Sequence, residues 1–141
     1  MIARLVGALC LMAVCVVIHA GGVSAALRML RRRQNGVRGF WRDTWLFILV
    51  AGWMVLLHLS EVCAWAMLYL WKQGMPDLPT SLYFSAITYT TTGYGDLVLK
   101  ADWRIVSGVE SLTGILMCGW STAFFLAIVS RLQRDGAESR A

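Results

Sequence analysis

The sequence predicts an all-α membrane protein: three transmembrane helices, with one short re-entrant helix and loop between the second and third. Two observations carry that prediction. The first is composition: 58% of the 141 residues are hydrophobic and 15% are charged, whereas soluble domains run at roughly 45–50% apolar and 25% charged. The mean hydropathy is +0.62. A chain this short has too much surface for its volume to hide that excess internally, so lipid or further copies of the chain must solvate most of it. The second is the grouping of the apolar residues. Leu5 to Leu27, Trp45 to Trp71 and Ile105 to Val129 each exceed the roughly 18 residues that mark a membrane-spanning helix. What remains among these residues is too little for an enzyme, nucleotide-binding or large sensory domain, so no catalysis is expected.

The first run holds no Asp, Glu, Lys or Arg. Met1 to Ala25 also has the layout of a secretory signal peptide, with Arg4, an apolar stretch and a Val-Ser-Ala ending at Ala25. Cleavage there would put the following Arg-rich stretch outside, against the positive-inside pattern. A retained helix over residues 1–30 is therefore expected, with His19 as an isolated interhelical hydrogen-bond donor. Arg28, Arg31, Arg32, Arg33, Arg38 and Arg42 cluster around residues 31–44, whereas Lys72 to Arg104 offsets three basic residues with Asp77, Asp96 and Asp102. The Arg-rich loop should then be cytoplasmic, the amino terminus and residues 72–104 outside, and the tail at 131–141, with Arg131, Arg134 and Arg140, inside.

The same clusters explain the net charge of +5 through anionic lipid head groups, and no nucleic-acid partner is expected. Trp41 and Trp45 would mark the inner interface, Trp71 and Trp103 the outer. Cys10, Cys15, Cys63 and Cys118 lie in apolar runs with no zinc-like spacing, so they are expected to behave as small hydrophobes.

In the second run His58 and Glu61 are three residues apart and share a helix face. A structural pair is expected, with a proton-sensing role as the alternative. Beyond this run, Pro76 and Pro79 punctuate the chain, and Asp77, Thr80 or Ser81 is positioned to cap a short helix over residues 80–90. About eleven residues at ~1.5 Å each reach ~16 Å, half a bilayer core. Non-helical backbone at that depth is tolerated where it is buried in protein or lines a wet cavity.

The segment that follows, Thr91-Thr92-Gly93-Tyr94-Gly95-Asp96, resembles the pore signature of tetrameric potassium channels. The resemblance extends over Trp45 to Arg131 in the order span, amphipathic pore segment, signature, span. It implies a pore domain at residues 45–130, with outer helix 45–71, pore helix 80–90, selectivity filter 91–96 and inner helix 104–130. Four copies would meet on an axis, and the first helix would be an addition with no evident job. Thr91, Thr92, Gly93, Tyr94 and Gly95 would hold dehydrated K+ by carbonyl and hydroxyl oxygens, with K+ sites at Thr91 to Tyr94, and Asp96 would concentrate cations at the outer mouth. The residue types fit that chemistry: carbonyls that replace an ion's hydration shell must face one way. That needs alternating backbone handedness, which Gly93 and Gly95 adopt without a Cβ penalty.

Three positions depart from the family pattern. Thr92 stands where Val or Ile is usual, Tyr83 and Phe84 where two Trp are frequent, and Ile87 where a Glu often pairs with the Asp after the filter. Asp96 therefore lacks that partner. Glu110, ~10 Å below the outer interface by helix rise, is expected behind the filter, bonding Thr88, Tyr89 or Thr90. Thr88, Thr90 and Phe84 are the other supporting candidates. Gly114 and Gly119 are hinge or packing candidates, and Phe124 and Phe125, with Ile128, are candidates for an apolar constriction. The expected function is passive K+ flux through a homotetramer in a plasma or inner membrane, with no cofactor beyond permeant K+. The alternatives are a weakly selective cation channel or a non-conducting auxiliary membrane subunit.

Overall fold

The computed structural model describes residues 1–32 and 39–138. Residues 33–38 of the expected Arg-rich loop, and 139–141 of the expected tail, lie outside the described residues. The elements in chain order are α1 (Ile2–Arg32), α2 (Phe40–Trp71), α3 (Leu78–Tyr89), a 3-10 turn (Ala101–Trp103) and α4 (Arg104–Glu138). Three segments, Ile2–Leu30, Trp41–Trp71 and Ala101–Ser130, are long and apolar enough to span a membrane.

The helices outrun the apolar runs that announce them. α2 starts at Phe40 rather than Trp45, with Asp43 in its first turn, where a carboxylate favours the positive end of the helix dipole. α4 continues to Glu138, so the backbone of the expected tail is helical through residue 138. Residues 131–138 contain no proline and include Arg, Leu and Gln, which propagate a helix well. α3 begins at Leu78 because Asp77 is its N-cap: the Asp77 carboxylate accepts from the Thr80 backbone N–H at 2.8 Å, with Pro79 in the first turn.

α1 and α4 run parallel and α2 antiparallel to both. At one end Arg4 pairs with Asp102 at 3.1 Å and its guanidinium lies 5.1 Å from the centre of the Trp103 ring. At the other end Val23 and Ala26 of α1 pack with Val50, Met54 and Leu57 of α2 and Phe124 and Ile128 of α4. The start of α1 and residues 72–104 therefore share one end of the molecule. α3 lies between α2 and α4, its Phe84 and Tyr89 entering a core with Trp65, Tyr69, Val106 and Met117. Large apolar side chains such as Val17, Leu56, Leu112 and Leu116 point outward, as they do when the solvent is lipid or another copy.

Candidate functional site

α3 ends at Thr90 and the chain enters residues 91–96 under tight backbone control. Thr90 N–H donates to the Ala86 carbonyl, Thr91 N–H to Thr88 and Gly93 N–H to Ile87, at 3.0–3.1 Å. φ is +58° at Thr91, +50° at Gly93 and +79° at Gly95, while Thr92 and Tyr94 between them stay at negative φ. Handedness thus alternates residue by residue, the pattern that turns successive carbonyls to one side. Thr91 is the surprise. A β-branched residue at positive φ costs about 1–3 kcal/mol, a cost that Gly93 and Gly95 do not carry.

Side chains around the loop have partners that the sequence did not announce. The Thr90 hydroxyl donates to the Ala86 carbonyl at 2.7 Å and lies 2.9 Å from the Thr92 hydroxyl. Since the Thr90 proton is committed, Thr92 supplies the proton of the second bond, and its hydroxyl is tied back to the end of α3. Asp96 lacks the family's Glu but accepts from the Tyr83 hydroxyl at 2.7 Å. That bond, with the neighbouring negative charge, raises the Tyr83 phenol above its ordinary range. Phe84 sits edge-on against Tyr69, ring centres 5.2 Å apart, within the core.

Glu110 is fully buried, and its partners differ from those expected. Thr88, Tyr89 and Thr90 do not bond it; Tyr69 of α2 donates to Oε2 and Ser85 of α3 meets Oε1, each at 2.5 Å. Ser85 also lies 2.8 Å from the Val62 carbonyl. One hydroxyl proton cannot serve both oxygens, so a protonated, neutral Glu110 is the form that satisfies all three contacts, with Ser85 donating to Val62. One residue along, the Ser111 hydroxyl lies 3.0 Å from the Thr88 carbonyl and 3.1 Å from that of Ser107, its proton shared between them. Gly114 completes the contact: a Cβ there would stand 1.9 Å from the Tyr89 carbonyl oxygen. Its absence lets α4 touch the end of α3, which makes Gly114 a packing position. A Cβ on Gly119 would meet nothing within 4 Å.

The second buried carboxylate gathers a larger set. Glu61 accepts a hydrogen bond from the Tyr89 hydroxyl and faces His19 Nδ1 at 2.9 Å. His58 Nδ1 lies 2.9 Å from the Tyr89 oxygen and 3.8 Å from Glu61 Oε2. Ser121 Oγ lies 3.0 Å from His58 Nε2 and 3.1 Å from His19 Nε2. His19 is therefore not the isolated donor expected, and His58 and Glu61 are joined chiefly through Tyr89. The set takes a residue from every one of the four helices.

The constriction candidates pack within the single chain. Phe124 and Ile128 are buried against α1 and α2 of their own chain, and Phe125 packs on Phe47 with ring centres 5.6 Å apart. The exposed residues of α4 at this level are Thr122, Ala123, Leu126 and Ala127. All four cysteines are free thiols, Cys15 buried and the rest exposed.

Comparison with curated proteins and with solved structures found no match. Residues 44–131, more than half the chain, match the model of a family described as ion channel. The match takes in most of α2, all of α3 and the 91–96 loop, and most of α4, and leaves α1 outside. The chain is thus a membrane protein of the ion channel family.

Proposed function

We propose that four copies of this chain surround one axis and let potassium ions pass down their electrochemical gradient. The observation that carries this reading is the alternation of positive φ at Thr91, Gly93 and Gly95 in a loop exposed throughout residues 91–96. Tyr94, a large aromatic, is 71% exposed in the single chain. One strand of carbonyls cannot enclose an ion; four such strands can, and they would cover the surface that one chain leaves bare.

In this reading residues 91–95 form the selectivity filter. An entering K+ sheds water and takes backbone carbonyl oxygens from Thr91 to Gly95 in exchange, with the Thr91 hydroxyl at the inner mouth. Asp96, held by Tyr83, draws cations to the outer mouth. α3 runs directly into the filter, so the partial negative charge of its carboxyl end favours a cation there. Glu110, Ser111 and Gly114 fix α3 against α4 and keep the strained Thr91 in place. The amino terminus and residues 72–104 lie outside, and the Arg-rich loop and carboxyl tail lie in the cytoplasm.

Purified protein in liposomes with an outward K+ gradient tests this directly, alongside native mass in detergent. The expected result is passive K+ flux from a particle of four 15.7 kDa chains. A particle with no flux, or a chain that never assembles fourfold, would instead indicate a non-conducting auxiliary subunit.

A further inference from the structure

The Glu61 set offers more than hydrogen bonds. We infer that His19, His58 and Glu61 form a binding site for a divalent transition-metal ion, foremost Zn2+, with the Tyr89 hydroxyl as a fourth ligand beside them. One ligating atom from each of the three residues lies within 4.8 Å of the others. The two carboxylate oxygens of Glu61 each face one ring, Oε1 at 2.9 Å from His19 Nδ1 and Oε2 at 3.8 Å from His58 Nδ1. Ligands about 2.0–2.1 Å from a tetrahedral zinc stand ~3.3 Å apart, so the separations bracket what an ion needs and small side-chain adjustments close the difference.

The surroundings fit a metal as well as the ligands do. A ligating imidazole needs an acceptor for its other ring N–H, which fixes the tautomer and the ring's direction. Here one oxygen serves both rings: Ser121 Oγ sits 3.0 and 3.1 Å from the two Nε2 atoms, and its own hydroxyl donates to Met54 Sδ at 3.6 Å. In the tautomers that a metal selects, that proton points at sulfur and both Nε2–H groups donate to Ser121. Both Nδ1 lone pairs are then left on the side of the Glu61 carboxylate. Lone pairs facing a carboxylate repel unless a cation or shared protons lie between them, and a dication satisfies all of them at one point.

Two imidazoles with a carboxylate suit zinc and its neighbours, whereas Mg2+ and Ca2+ take oxygen ligands. His19 and Glu61 are fully buried, while the His58 side chain is 21% exposed on the single chain. The ion would bind α1 to α2 and, through Tyr89, to the end of α3 next to the 91–96 loop.

The test is a Co2+ titration of purified, chelator-stripped protein in detergent, read by visible absorption. Wild type should bind about one Co2+ per chain with the intense ligand-field bands of tetrahedral cobalt, displaced by Zn2+ and indifferent to Mg2+. His19→Gln and Glu61→Gln should lose at least ~10-fold in affinity, and Ser121→Ala ~10–100-fold through the lost acceptor. Replacing Cys10, Cys63 and Cys118 together by Ser should change nothing, which excludes binding at the three exposed thiols. No Co2+ bound by helical wild-type protein overturns the proposal. So does unchanged affinity in His19→Gln, or in Ser121→Ala should the first variant fail to fold. Binding is read without an ion gradient, so its failure is separate from failure of the conduction reading.

Discussion

Glu61 and Glu110 are both fully buried carboxylates that grip the same twelve-residue helix, yet they do so in different company. Glu110 meets Ser85, and Glu61 meets Tyr89. These positions are four residues apart and so lie on one face of α3. Glu110 draws its partners from α2 and α3, all inside the segment that matches the ion channel family, and one proton on the carboxyl completes its bonding. Glu61 reaches outside that segment to His19 of α1. α3 is therefore fixed twice: at its middle by Glu110, and at its carboxyl end by Glu61 of α2, which is braced in turn by His19 of a helix the family match does not include. The second attachment is two residues from Thr91, where the backbone turns left-handed.

The contact that both arrangements presuppose is the approach of α4 to α3 at Gly114, and breaking it should have the largest effect. Gly114→Ala places a methyl 1.9 Å from a backbone oxygen, and backbone has to move. The expected cost is at least the ~1–3 kcal/mol of overpacking, seen as a lower unfolding temperature in detergent and lost flux. Gly119→Ala should leave both readings unchanged. Next comes Glu110. Its replacement by Ala leaves the Tyr69 hydroxyl buried without its acceptor, at ~1–3 kcal/mol, while Ser85 keeps the Val62 carbonyl. Glu110→Gln keeps a neutral group of the same shape and should stay close to wild type. Equal damage from Gln and Ala would mean that the carboxyl's charge, and not its hydrogen bonding, is what α3 needs.

Tyr89→Phe sharpens the other side of the comparison. It deletes the hydroxyl shared by Glu61 and His58 and keeps the ring, so a loss of ~1–3 kcal/mol is expected. Its effect on flux should exceed what the stability loss explains, because the lesion sits beside the loop.

The smallest effect belongs to Asp77, at the far end of α3. Hydrogen bonds from the Thr80 hydroxyl and backbone N–H hold its carboxyl below the ordinary range. A depressed acid contributes stability above its unfolded value, ~3.9 for Asp, and that contribution fades as pH falls through the folded value. Unfolding temperature should therefore drop on acidification below pH ~4 in wild type, with a shallower drop in Asp77→Asn. Identical acid profiles would remove the cap from the account.

Much of the fold was legible because lipid imposes a length rule. Three apolar runs became α1, α2 and α4, and Asp77 with Pro79 marked the start of α3 to within two residues. The helix ends were less legible, since a hydropathy run stops at the lipid boundary while the hydrogen-bonded backbone of Phe40 to Thr44 and of residues 131–138 does not. In the site, alternating handedness followed from Gly93 and Gly95, but not the positive φ of Thr91, which intrinsic preference opposes. Counting residues from Trp103 gives the height of Glu110 along α4 and not its azimuth, so Tyr69 and Ser85 stayed out of reach. His19 had no partner near it in sequence: Glu61 is 42 residues away and Ser121 is 102. A signal was present all the same, since His19, His58, Glu61 and Ser121 are polar residues set in otherwise apolar spans. The facing of Phe124 and Ile128 into their own bundle needed α1 and α2 to be placed first.

The central claim is that the 91–96 loop selects potassium by fixed backbone oxygens, and the reversal potential of reconstituted protein under opposed K+ and Na+ solutions tests it most directly. The account predicts a reversal potential close to the K+ equilibrium value; one near zero, with K+ and Na+ passing alike, would contradict it.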